Sequence, residues 1–254
     1  MGEIVLKVLY VGDGEWVSKT VIKTLGFYAM GTFIDESEFL RKALTSNPEI
    51  QVVHMHSHEA LESFPRTLND LQEYDVVILS DVVSDALALY PDLLKVPMGP
   101  NRLELIKEFV LNGGGLLMIG GWASFSGYMA QAKYYDTPVE EVLPVEILRY
   151  DDRVEVSQGF MFEVLEPNHP IMNGIPWEEA DFLLLGYNKV KLKEGAKLLA
   201  KYKNDPIIAV WEIRKGRSMV FTSDCAPHWA GSFINWKYYS KFWIQSVVWL
   251  AKKM

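Results

Sequence analysis

Three nearly continuous apolar runs constrain this chain more than any other feature. They are Ile4–Val11, Tyr74–Asp81 and Gly115–Ile119. Each breaks off into glycine, aspartate or serine. A strand with one wet face alternates apolar and polar residues. A run without alternation is buried on both faces, as in a parallel sheet covered by helices. A further strand is expected at Gln51–His56.

Helical patterns fall between these strands. Glu36–Leu44 carries Phe39, Leu40, Ala43 and Leu44 at helical spacing. Asn101–Asn112 has a capping residue in Asn101, Glu104 three positions on, and a stripe of Leu103, Ile106 and Val110. Gly113 supplies its stop. Strands and helices alternating in this way predict right-handed βαβ units. After Thr137 short strand-like runs succeed one another, at Val145–Leu148, Arg153–Val156, Phe182–Lys191, Lys197–Tyr202, Ile207–Ile213 and Ser218–Thr222. They are expected to extend the same sheet in antiparallel fashion. A last helix is predicted over Trp236–Lys252. No repeat or linker interrupts the pattern, so residues 1–254 are read as one domain.

Composition narrows the function. The net charge is −8 with no dense Lys/Arg run, which argues against a nucleic-acid partner. The single cysteine, Cys225, excludes an internal disulfide and fits a reducing compartment. No segment has the pattern of a signal peptide or a membrane span, so a cytoplasmic protein without membrane partners is expected. Aromatic residues make up 13 % of the chain, including eight Trp. They are candidates for a pocket wall or a contact in a homo-oligomer.

Ligands of open α/β sheets bind beyond the carboxyl ends of the strands. There the sequence places Asp13 and Trp16, then His54, Asp81, Trp122 and Ser124, and finally Asp224, Cys225 and His228. His54, His56 and His58 alternate, which on a strand would put three imidazoles on one face, a spacing a Zn²⁺ site can use. No further ligand set accompanies them, so a polar strand end is expected, with no metal and no cofactor. Gly12-Asp13-Gly14 lacks the third glycine of a dinucleotide fingerprint.

Four stretches carry a family resemblance: Gly113–Gly121, Thr137–Val145, His169–Ile175 and Phe221–Trp229. On these the chain resembles the class I glutamine amidotransferase-like superfamily, and more closely the glutamine amidotransferase-like proteins near the ThuA-like trehalose-utilisation proteins. The resemblance implies a flavodoxin-like three-layer α/β sandwich. It also implies a Gly-x-Cys-x-Gly elbow and a later His-x-Glu, in which cysteine attacks an amide, histidine takes its proton and glutamate orients the histidine. Laid on this chain, the elbow is Gly120-Gly121-Trp122-Ala123-Ser124. Trp122 stands in the cysteine slot, the histidine slot falls on His228, and Ala230 stands where the glutamate would come.

The leading expectation is a non-glutaminase that binds a small polar or sugar-like ligand. Asp13, Trp16, His54, Asp81, Trp122, Ser124, Asp224 and His228 are its candidate residues. Trp122 would form an aromatic wall, the three aspartates would accept hydrogen bonds and His228 would donate one. One alternative is a hydrolase or amidotransferase that uses Cys225 or Ser124 with His228. Another is a structural oligomerisation module.

Overall fold

The apolar runs form the middle of one sheet. The structure is a computed structural model and describes residues 5–24, 26–88 and 99–253. Ile4, where the first strand was expected to begin, lies outside the described residues. Along the chain come β1 (Leu6–Gly12), β2 (Gly14–Lys23), β3 (Gly26–Asp35), α1 (Glu38–Thr45), β4 (Ile50–Met55), α2 (Ser57–Ser63), α3 (Leu68–Leu71), β5 (Val76–Ser80), α4 (Asp85–Ala88), α5 (Arg102–Leu111) and β6 (Gly115–Ile119). Next are α6 (Pro138–Val142), β7 (Val145–Ile147), β8 (Arg153–Phe160), β9 (Glu163–Val164), β10 (Leu184–Asn188), β11 (Val190–Leu192), β12 (Lys197–Tyr202), β13 (Asp205–Ile213), β14 (Gly216–Phe221), α7 (Pro227–Ala230) and α8 (Tyr239–Leu250).

The main sheet has the order β4-β1-β5-β6-β14-β13-β12-β9. From β4 to β14 every pairing is parallel. β13, β12 and β9 then continue it antiparallel. Successive β1 residues serve opposite faces. Val8 and Tyr10 pack toward α1 and α8, while Leu9 and Val11 pack toward α2 and α5. Two apolar layers thus sandwich the sheet, which is the three-layer α/β architecture expected from the unalternated strands. The α5 helix begins as its sequence indicates, with the Asn101 side chain accepting from the Leu103 N–H at 3.0 Å.

Three expectations are corrected. The late strands do not all join the main sheet: β8 pairs with β10 and β7 with β11 in separate two-stranded sheets. β14 joins β6 in parallel, so the antiparallel turn of the sheet comes after it. The strand expected to reach His56 stops at Met55, because the His56 N–H donates to Glu59 at 2.8 Å and opens α2. His58 therefore lies on a helix, and the period of two does not extend to it.

The largest feature without a sequence expectation is the hairpin of β2 and β3. It leaves the sheet at Asp13 and returns at Glu36, with Trp16 paired to Phe33 and Ile22 to Phe27. Its root is fixed where the Glu36 and Ser37 N–H groups both donate to the Asp13 carbonyl, at 3.0 and 3.1 Å.

Candidate functional site

Two aspartates close the ends of adjacent parallel strands in a conformation that L-residues seldom adopt. Asp13 comes directly after β1 with φ +48° and Asp81 directly after β5 with φ +44°. Such outliers persist only where surrounding contacts hold them, and they concentrate at functional sites. Gly12, at φ +121°, is required beside them because a Cβ there would run into the Ser80 carbonyl.

Asp13 is buried and fully bonded. Its carboxylate accepts from the Tyr10 hydroxyl, from Ser80 Oγ at 3.0 Å and from Cys225 Sγ at 3.4 Å. Burial, and then the nearby charge of Asp224, push the Asp13 carboxyl up to about 7. Burial together with Asp224 and Asp13 holds Asp81 well above the ordinary carboxylate range. Glu36 is raised by its burial and by Asp224 and Glu15. These carboxyls crowd one end of the sheet and hold protons that isolated carboxyls would release.

The turn after β6 carries Trp122. Gly121 takes the unusual conformation, φ +150°, and a Cβ there would overlap the Asp81 carboxylate. The strained residue of this turn is therefore the glycine and not Trp122, so the turn departs from the nucleophile elbow that the resemblance implies at Gly120–Ser124. The turn rests on buried polar groups. The Gly121 N–H donates to Asn188 Oδ1 at 2.9 Å, and Asn188 Nδ2 donates to Asp152 Oδ1 at 2.8 Å. Asp152 also accepts the N–H groups of Ser126 and Gly127, each at 2.9 Å. On the other side, the Ala123 N–H donates to Asp81 Oδ1 at 2.6 Å. The indole stands out of this frame, 44 % exposed. The Arg153 guanidinium lies 4.5 Å from its centre, and His228 meets it edge-on at 5.2 Å.

Glu15, Glu36, Asp81, Trp122 and His228 line a pocket of about 320 Å³. A neighbouring cavity of about 270 Å³ shares Glu15, Glu36, Asp81 and Trp122 and reaches Asp13 and Ser57. Burial alone would lower the His228 imidazole, but Asp224 outweighs it and raises the group. Nδ1 lies 3.7 Å from Asp224 Oδ2, too long for a direct hydrogen bond, so the carboxylate acts through its charge.

The structure brings some of the expected residues together and sets others apart. Asp81, Trp122 and His228 meet in one pocket, with Asp13 in the adjoining lobe. Asp224 is buried beneath them, its Oδ1 accepting from the Ala226 N–H at 2.9 Å. Ser124 is buried, and its Oγ accepts the Asp81 N–H at 3.0 Å. His54 is turned inward to the Gly12 carbonyl at 3.0 Å, and burial lowers its imidazole toward the neutral form. Trp16 stands on β2 against Phe33. His54 and His56 meet edge-on with ring centres 4.5 Å apart, His56 and His58 stack at 5.8 Å, and the last two also meet the edge of the Phe33 ring.

Cys225 is buried beside Asp13, Ser80 and Tyr10, where burial and the two aspartates push its thiol well up. That holds it protonated, the opposite of an activated nucleophile. The ligand atoms of Asp13, Asp224 and Cys225 lie within 4.8 Å of one another. Cation binding there would require the thiol to lose the proton it donates to Asp13. Glu36 had no sequence signal as a site residue. It reaches the pocket only because a long hairpin returns the chain to Asp13, a long-range fact.

A parallel three-layer domain with a strand-end cleft and a glycine turn after its central strand is the arrangement of the class I glutamine amidotransferase-like fold. The chain belongs to the family described as "Putative glutamine amidotransferase", whose model matches residues 7–252. It is similar to the cytoplasmic protein STM3548 of Salmonella typhimurium, with 34 % identity, 96 % of this chain and 99 % of that one covered, and a TM-score of 0.90. It is also similar to the cytoplasmic protein STM1381 of Salmonella typhimurium LT2, with 33 % identity, the same coverage and a TM-score of 0.89. A ThuA-like protein of Parabacteroides merdae shares the fold at 11 % identity, with 98 and 90 % coverage and a TM-score of 0.56. No curated protein matches the chain. Among the described residues no helix is long and apolar enough to cross a membrane.

Proposed function

We propose that this protein is a glutamine amidotransferase-like protein without glutaminase chemistry, and that it binds a small neutral polyhydroxylated ligand in the pocket at Trp122. The observation that carries this reading is the half-exposed indole in the turn after β6, which forms the wall of a carboxylate-lined pocket. Carboxylates accept hydrogen bonds from hydroxyl groups, and an aromatic wall packs against the apolar C–H side of a sugar-like ring. His228 supplies a donor. Glu15 and Glu36 disfavour an anion, since like charges at about 4 Å repel by ~4 kcal/mol near a protein surface, while Asp81, held toward its protonated form by burial, offers a hydroxyl ligand a donor. The volume suits a monosaccharide-sized molecule, at the lower end of ordinary ligand sites.

Thermal-shift titration with glucose, galactose and myo-inositol, set beside glucuronate and glucose 6-phosphate, tests the charge preference. At least one neutral compound is expected to raise the unfolding temperature while the anions do not. Preference for the anions would overturn the reading. Glutamine should release no ammonia above buffer. Turnover that disappears in Cys225→Ala or Ser124→Ala would restore the enzymatic alternative.

A further inference from the structure

Beyond its root, where Trp16 and Phe33 meet His56 and His58, the β2–β3 hairpin projects from the sheet with neither of its faces covered by the described residues. Along β2 and β3 large apolar side chains stand exposed among the polar ones. Trp16 is 69 %, Ile22 77 % and Phe27 78 % exposed, and Val17, Tyr28, Met30 and Ile34 are exposed as well. Seven of the fifteen exposed large apolar side chains among the described residues therefore belong to this arm. Both of its outer edges are unpaired among the described residues. An isolated two-stranded ribbon is marginal in water, and open edges with apolar faces invite another chain.

We propose that the arm clasps the arm of a second copy of this chain, making a two-fold dimer. The cross-strand pairs argue for self-recognition. On one face Trp16 pairs with Phe33 at the root and Ile22 with Phe27 near the tip. Between them lie only Ser18 opposite Gly31 and Thr20 opposite Ala29. The face is a saddle, with two bulky ridges flanking a low waist. Two such saddles crossing at their waists bring the backbones close, and each pair of ridges brackets the other ribbon. The same patch then serves both copies, as a two-fold interface requires.

Area and charge support the same occupant. Strands of ten residues span about 34 Å, and a two-stranded ribbon with its side chains is about 10 Å wide. Two exchanged arms, with the surfaces they cover, would bury on the order of 2,000 Å², within the range of stable interfaces. Residues 16–34 carry Lys19 and Lys23 and no acid, in a chain of net charge −8. Beyond Glu15 and Asp35 at its root the arm is thus basic, and the acidic body of a second copy favours the encounter.

Light scattering of the full chain at micromolar concentration tests this. The wild type should have twice the monomer mass, and the double variant Ile22→Lys, Phe27→Lys the monomer mass with an unchanged circular dichroism spectrum. Leu192→Lys, on an exposed site away from the arm, should remain dimeric. Ser18→Cys places a thiol at the waist while the native thiol of Cys225 stays buried. Mild oxidation should convert most of that variant to a covalent dimer. A monomeric wild type, a tip variant that keeps the dimer mass, or no crosslink from Ser18→Cys overturns the proposal. So does a wild-type monomer that binds neutral phosphatidylcholine vesicles through the arm, which would make the occupant a lipid surface.

Discussion

Asp13 joins the strain, the burial and the chemistry of the site in one residue. Its backbone accepts the returning chain, and its carboxyl sits at about 7 instead of the ordinary 3.8. A folded-state value above the unfolded one means that the native protein keeps a proton the unfolded chain releases. The resulting stability is fully present below about pH 4 and is lost as the pH rises through 7. Asp152, raised to about 6 chiefly by burial, acts in the same direction. The unfolding temperature should therefore be higher at pH 5 than at pH 8. Asp13→Asn should shrink that difference, measured by calorimetry in both buffers. An unchanged difference would show that Asp13 does not titrate in this range. Cys225 shows the other side of this environment. With its thiol held protonated, Cys225→Ser should leave ligand affinity within about twofold, which titration of the variant would check.

At the scale of elements, the turn that presents Trp122 depends on groups distant in sequence. Asn188 ends β10 and Asp152 precedes β8, yet both bond to the turn after β6. Asn188→Ala would strand the Gly121 N–H and remove a donor to Asp152. Its cost should be about 2–3 kcal/mol in denaturant unfolding, against less than ~0.5 kcal/mol for exposed Gln158→Ala. The central strands and α5 were legible in the sequence because burial on both faces and a capping residue leave local marks. β6 was expected over its observed span, and Asn101 caps as its position predicts. The β2–β3 ribbon was not legible. Its residues alternate weakly, because neither face is buried within the chain and none of the selection for a core applies. Which late strands leave the sheet was hidden for a related reason. The partners of β7 and β8, which are β11 and β10, are set by long-range packing. Asp81, Trp122 and His228 were legible because each lies shortly past the carboxyl end of an apolar strand, where this fold binds its ligands. Glu36 carried no such mark, since it opens onto a helix and stands at the end of no strand of the main sheet.

Over the whole molecule, the acidic strand ends and the apolar arm share one border. Glu15 at the start of the arm and Glu36 just beyond its end both line the Trp122 pocket. A dimer held through the arms would therefore steady two walls of each pocket, and the tip variant should bind ligand more weakly than the wild type as well as dissociate. Equal affinity in the two, by titration at matched concentration, would separate the arm from the pocket. The fold keeps the frame of an amidotransferase-like domain, and the proposed function assigns its strand ends to recognition of a neutral ligand in place of attack on an amide. Titration calorimetry of the wild type and Trp122→Ala with glucose, galactose and myo-inositol tests this most directly. Saturable heat is expected with at least one of them, with an affinity at least tenfold weaker in Trp122→Ala, about 1.4 kcal/mol. No heat with any of the three, or equal affinities in the two proteins, would contradict the proposed function.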